Sequence, residues 1–145
     1  MSKRLVEMEI SAQGKAIRTL AEMKANEQLK ELGVESFQIL ETRRTLAVQM
    51  AYYSRSRMSV EDVKKMYRAV GMYEISDTEA KTANTWTLES KHIQGKAIDI
   101  VPIKNNKPWW NAPLAVWEIM GAIGERNNLK WGGRWKNKDC PHFEE

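Results

Sequence analysis

Gly95-Lys96-Ala97-Ile98-Asp99-Ile100-Val101-Pro102 is the stretch on which the architecture turns. Lys96 to Val101 is rich in β-branched and apolar residues and lies between two breakers, so it reads as a strand. Pro102 and the turn-like Lys104-Asn105-Asn106-Lys107-Pro108 are expected to halt it. Alternation along a strand puts Ala97, Asp99 and Val101 on one face. An aspartate in such company is costly to bury unless it is paired or bound to a metal. On spacing alone it can equally be an edge-strand or turn carboxylate.

Outward from this strand, the apolar pattern alternates between strand and helix. Phe37 to Leu40 and Leu129 to Trp131 read as short strands. From about Gly14 to Leu32, Ile17, Leu20, Ala21, Ala25, Leu29 and Leu32 fall at helical spacings, with Gly33 as a stop. A second helix is expected from about Leu46 to Tyr53, followed by a polar link. Ser59 then suits an N-cap, with Val60, Val63, Tyr67 and Val70 on one face before Gly71. Pro113 suits the first turn of a helix reaching Asn127, with Val116, Ile119, Met120 and Ile123 as its stripe. Residues 74 to 90 have weak periodicity and many hydrogen-bonding side chains, and read mainly as loop. With no βαβ rhythm, the expectation is an α+β fold: a small antiparallel sheet flanked by helices. At 145 residues without internal repeats, the chain reads as one domain over 1–145.

Composition narrows the function classes. The chain is 42% apolar and 29% charged, with no apolar run near the roughly 20 residues that span a bilayer. No membrane insertion is expected. Lys3, Arg4, Glu7 and Glu9 break up the first residues, so a secretory signal is not expected and synthesis in the cytoplasm is. One cysteine, Cys140, allows no internal disulfide and no thiolate cluster. The net charge of +4 is spread along the chain without a basic arm, which suits a solvated surface better than a nucleic-acid partner. Nothing requires more than a monomer.

The chain has only two histidines, in Ser90-Lys91-His92-Ile93-Gln94-Gly95 and Asp139-Cys140-Pro141-His142. Either alone is ordinary. Catalytic zinc takes three protein ligands and keeps a position for water, so His92, Asp99 and His142 form a sufficient set. Asp139, three residues before His142, can serve as the carboxylate that takes a proton from such a water. It can equally form a turn with Pro141. Trp109, Trp110, Trp131 and Trp135 can line a groove or fill a core, and Trp131 suits the core.

Together, Ser90-x-His92-x-x-Gly95-x-Ala97-x-Asp99, Trp131-Gly132-Gly133-x-Trp135 and Asp139-x-Pro141-His142-Phe143 resemble the LAS group of zinc peptidases. Within it the chain looks like the L-alanyl-D-glutamate endopeptidases found as phage endolysins, relatives of the D-Ala-D-Ala carboxypeptidases. Glu41-Thr42-Arg43-Arg44-Thr45, with Gln49, Tyr53 and Arg57 beyond, is similar to the stretch around that group's characteristic arginine. The resemblance covers about residues 38 to 143. It implies one zinc ion on His92, Asp99 and His142, Asp139 as general base and Arg44 on the scissile carbonyl. It also implies Ser90 and Gln49 as substrate contacts, and bacterial peptidoglycan as substrate. An endolysin of this kind waits in the host cytoplasm and reaches the wall during lysis. A carboxypeptidase and a metal-containing binding module without activity are the alternatives. Arg134, Arg43 and Ser56 depart from the group's pattern, and the segment from Met72 to Glu89 is longer than usual in it.

Overall fold

A computed structural model describes residues 2–85 and 87–145. The α-helices among the described residues are α1 (Ile10–Ala25), α2 (Glu27–Glu31), α3 (Leu46–Ser54), α4 (Val60–Ala69), α5 (Asp77–Ala80) and α6 (Leu114–Arg126). The strands are β1 (Ser36–Glu41), β2 (Ala97–Lys104), β3 (Lys107–Pro108), β4 (Lys130–Trp131) and β5 (His142–Glu144). Their sheet has the order β1-β2-β5-β4, with β3 also on β2, and all pairs are antiparallel. The fold is α+β, as the patterning predicts.

The decisive stretch is the centre of that sheet, but β2 passes straight through Pro102. The Pro102 carbonyl accepts the Trp109 N–H at 2.8 Å, on the side away from β1. A strand residue's N–H and C=O share a side, so the missing proline N–H costs β1 no ladder bond. The strand ends instead at Asn105 and Asn106, whose φ of 53° and 62° turn the chain into β3.

Alternation along β2 separates two jobs. Ile98 and Ile100 are fully buried and join Phe143 of β5, Leu20 and Met23 of α1 and Met120 and Ile123 of α6 in the main core. Asp99 takes the other face. A second core lies between α3 and α4, built on Val48, Ala51, Tyr52, Val63 and Tyr67. Ser59 caps α4, accepting from Asp62 N, as its sequence signature predicts.

The first helix is corrected, the loop over 74–90 is refined, and one strand is added. The first helix begins earlier, at Ile10, and breaks at Asn26, whose side chain accepts from Leu29 N and so caps α2. Its buried stripe is Ala12, Ala16, Thr19, Leu20 and Met23, whereas Ile17, Ala21, Ala25 and Leu32 face solvent. Within 74–90, α5 forms because Ser76 accepts from Glu79 N. The segment His142–Glu144, which carries no strand pattern long enough to read, is recruited as β5 by β2 and β4.

Candidate active site

Sheet register brings the first pair of candidate ligands together. Asp99 on β2 lies directly opposite His142 on β5, so their side chains share a face. Asp99 Oδ1 is 3.1 Å from His142 Nδ1. His92 comes from the turn before β2, where Ser90 Oγ accepts the His92 N–H at 3.2 Å and Arg44 N–H donates to the His92 carbonyl at 3.0 Å. Its Nε2 is 3.2 Å from the same Asp99 oxygen. The three donor atoms lie within 4.8 Å of one another and can hold a metal ion.

The far nitrogens of both rings are also engaged. His92 Nδ1 is 2.9 Å from the Thr42 carbonyl oxygen, which can only accept, so Nδ1 carries the hydrogen. Nε2 is then left with its lone pair when the ring is neutral, and it faces a carboxylate oxygen. Two lone pairs at that distance need either a ring proton or a metal ion to join them. His142 Nε2–H donates to Glu144 at 3.0 Å, leaving Nδ1 for the shared centre. This is the arrangement by which outer carboxylates and carbonyls orient metal-binding imidazoles.

The electrostatics agree with a cation-seeking centre. Burial alone raises the pKa of Asp99, but the bonds from His142 and His92 outweigh it and hold the carboxyl well below the usual range. Burial lowers the pKa of His142, yet its bonds to Asp99 and Glu144 prevail and push it up to about 9. The bond from His142 holds Glu144 below its ordinary value. His92 and His142 are only 2% and 6% exposed, so water screens these charges little.

Around this centre lies a cleft of about 610 Å³, lined by Arg44, Thr85, Thr87, Ser90, Trp135 and Asp139 among others. Asp139 stays exposed as a residue, while burial of its carboxyl and the negative Asp99 nearby raise its pKa. Gly132 permits its position. The Gly132 carbonyl accepts the Asp139 N–H at 2.9 Å, and a Cβ on Gly132 would lie 2.4 Å from the Asp139 carbonyl oxygen. Trp135 stands with its ring 5.1 Å from that of His142, whereas Trp131 is buried, as expected.

Arg44 is held from three sides. Glu41 takes Nε and Nη2, Gln49 Oε1 accepts from Nη1, and the guanidinium lies 4.7 Å above the Tyr52 ring. Such a fork is pre-organised and still has N–H groups to spare. Gln49, expected to touch substrate, is instead fully buried behind Arg44 and is not among the cleft-lining residues. An amide bonded at both ends cannot also turn outward. Glu41, Thr42 and Glu144 escape the sequence reading. Glu144 becomes legible only once His142–Glu144 is known to be a strand, on which residues two apart share a face.

Residues 83–145 match the model of a peptidase family described as D-alanyl-D-alanine carboxypeptidase. The matched segment contains Ser90, His92, Asp99, Asp139 and His142, and excludes Arg44 and Gln49. No curated protein sequence matches the chain. Among solved structures, the Serratia marcescens L-Ala D-Glu endopeptidase ChiX aligns over 88% of this chain and 85% of its own, at 22% identity and a TM-score of 0.47. In residues 83–145, which hold the candidate metal ligands and Asp139, the chain is thus similar to the D-alanyl-D-alanine carboxypeptidase family.

Proposed function

We propose that the chain, acting over 1–145 as one catalytic domain, is a zinc-dependent peptidase that hydrolyses stem-peptide bonds of bacterial peptidoglycan. The observation that carries this reading is the convergence of His92, Asp99 and His142 in a cleft that also presents Asp139 and Arg44. Of the possible bonds, L-Ala-D-Glu is favoured by the likeness of the Arg44 stretch and of Asp139-x-Pro141-His142-Phe143 to the endolysin endopeptidases. That likeness also supports a role in phage lysis, with the wall reached on release. No described helix is long and apolar enough to cross a membrane.

His92 Nε2, His142 Nδ1 and an Asp99 oxygen would hold the ion, and two neutral imidazoles with one carboxylate suit zinc. When bound, zinc supplies Lewis acidity to the carbonyl and a lowered pKa to water. The chain's own residues do the rest. Asp139 accepts the proton of the attacking water and passes it to the departing amine, a task that a raised carboxyl pKa favours. Arg44, fixed by Glu41 and Gln49, donates to the oxygen on which negative charge develops. Ser90 holds the His92 turn and lines the cleft.

Digestion of purified peptidoglycan, with and without a chelator, tests the proposal. Chelator-sensitive appearance of N-terminal D-Glu is the expected result. Release of D-Ala would favour the carboxypeptidase reading, which the family description supports. No cleavage by the zinc-loaded protein would sink both.

Metal uptake should also depend on pH in a definite direction. The His142 pKa of about 9 in the metal-free chain lies above the ordinary 6.5, so a proton occupies the ring throughout the neutral range. That proton must leave before Nδ1 can bind a metal. Zinc affinity should therefore keep rising, roughly tenfold per pH unit, between about pH 7 and pH 9. An unperturbed imidazole would level off near pH 7. Chelator competition across that range reads the slope, and a flat profile would refute the competition.

A further inference from the structure

Gln49 lies on α3 with both ends of its amide committed. Oε1 accepts from Arg44 Nη1, while Nε2 donates to the Thr87 carbonyl oxygen at 2.8 Å and reaches Thr85 Oγ1 at 3.3 Å. The partners fix the orientation of the amide, because a guanidinium only donates and a backbone carbonyl only accepts. A side chain at this place must therefore accept on one side and donate on the other. Thr85 and Thr87 both line the cleft. Further back, the same segment is held by Arg57, which donates to the Thr85 carbonyl at 3.1 Å, and by Arg55, which donates to the carbonyls of Glu79 and Thr82. Gln49 is the member of this set that also touches Arg44.

We propose that Gln49 is a positioning residue that ties the Arg44 guanidinium to the wall of the cleft at Thr85 and Thr87. The group that meets the scissile carbonyl and the wall beside it are thereby kept in one register. The role of Arg44 rests on the peptidase reading above; the link itself rests on the hydrogen bonds alone. Glu41 sets the angle of the fork through two bonds, and Gln49 sets where the fork stands relative to the wall. A buried amide bridging a charge and a backbone carbonyl is costly to leave half-satisfied.

Two substitutions separate the bridge into its halves. Gln49→Glu keeps an acceptor for Arg44 but has no donor for Thr87. Gln49→Leu keeps much of the volume and loses both. In the metal-loaded full chain, hydrogen exchange at the amides of Thr85 and Thr87 should quicken roughly tenfold in both variants. Gln49→Leu should lower kcat on peptidoglycan by about 10- to 100-fold with KM within about threefold, because a misplaced guanidinium is felt mainly in the transition state. Gln49→Glu, which still anchors Arg44 but no longer the wall, should lower kcat by a smaller factor than Gln49→Leu does. Zinc affinity should be unchanged in both, since among the described residues Gln49 bonds to Arg44, Thr85 and Thr87 and not to His92, Asp99 or His142.

Parent-like exchange at Thr85 and Thr87 in Gln49→Glu would overturn the link, and parent-like kcat in Gln49→Leu would overturn the positioning role. Exchange raised equally along α3 and α4 would mean that Gln49 only stabilises the fold, which also overturns the proposal. If Gln49→Leu fails to fold, exchange in Gln49→Glu decides. A parent protein that cuts no wall peptide overturns the peptidase reading and the role of Arg44 with it. Exchange, which needs no substrate, then still decides the link.

Discussion

Asp99→Asn is expected to lower zinc affinity by more than about a hundredfold, beyond the upper end of what loss of an outer-shell partner costs, and to remove hydrolysis with it. Asp99 is the one anionic member of the His92, Asp99, His142 set, and its Oδ1 is the atom both imidazoles face, at 3.2 and 3.1 Å. Asparagine keeps the shape of the side chain but offers a neutral amide, so two buried rings lose their common counter-charge. A second readout follows in the metal-free protein. Asp99 is a principal cause of the His142 pKa near 9, so in the variant that ring should titrate closer to the ordinary 6.5. Burial, the largest single influence on the ring, then pulls downward against the remaining bond to Glu144. Metal content by mass spectrometry and histidine titration by NMR check the two effects. A variant that binds zinc as the parent does would remove Asp99 from the metal set and leave it a partner of the two imidazoles only.

The legible part of the fold was the part that local chemistry dictates. The Ser59 cap, the apolar faces of α4 and α6 and the decisive strand follow from side chains acting within a few residues of their own position. The errors arose where distant partners decide. β5 exists because β2 and β4 offer it open edges, and Pro102 stays in β2 because its missing N–H faces away from β1. The exposed Ile17 shows the same limit, since a helical pattern does not say which flank the sheet will cover.

The candidate site divides in the same way. His92, Asp99, Asp139 and His142 stood out because few residue types do their chemistry and the motifs keep them at fixed spacings. Glu144, Thr42 and Glu41 did not, because an outer-shell partner is recognised only once the ring or guanidinium it holds has been placed. Gln49 was assigned to substrate on motif likeness, and only its burial and its two bonds place it behind Arg44.

Asp139→Asn should separate binding from chemistry. The loss expected is about 10²- to 10⁴-fold in kcat, the range that a positioned general base supplies, with KM and zinc affinity changed by no more than a few-fold. The geometry supports so selective an effect. The Asp139 backbone is bracketed by its N–H bond to the Gly132 carbonyl, at 2.9 Å, and by the His142 N–H bond to its own carbonyl, at 3.1 Å. Its position therefore does not depend on the carboxylate, and asparagine can occupy the same place without disturbing the turn. No bond joins the Asp139 side chain to His92, Asp99 or His142 among the described residues, so their convergence should survive. What the substitution removes is a carboxyl that burial and the nearby Asp99 already bias toward holding a proton, the property needed to take one from water and give it to an amine. Parallel measurement of zinc affinity and of single-turnover cleavage of a muropeptide checks the outcome. Retained cleavage would return Asp139 to the role of a turn residue before Pro141, and lost zinc would make it part of the metal set.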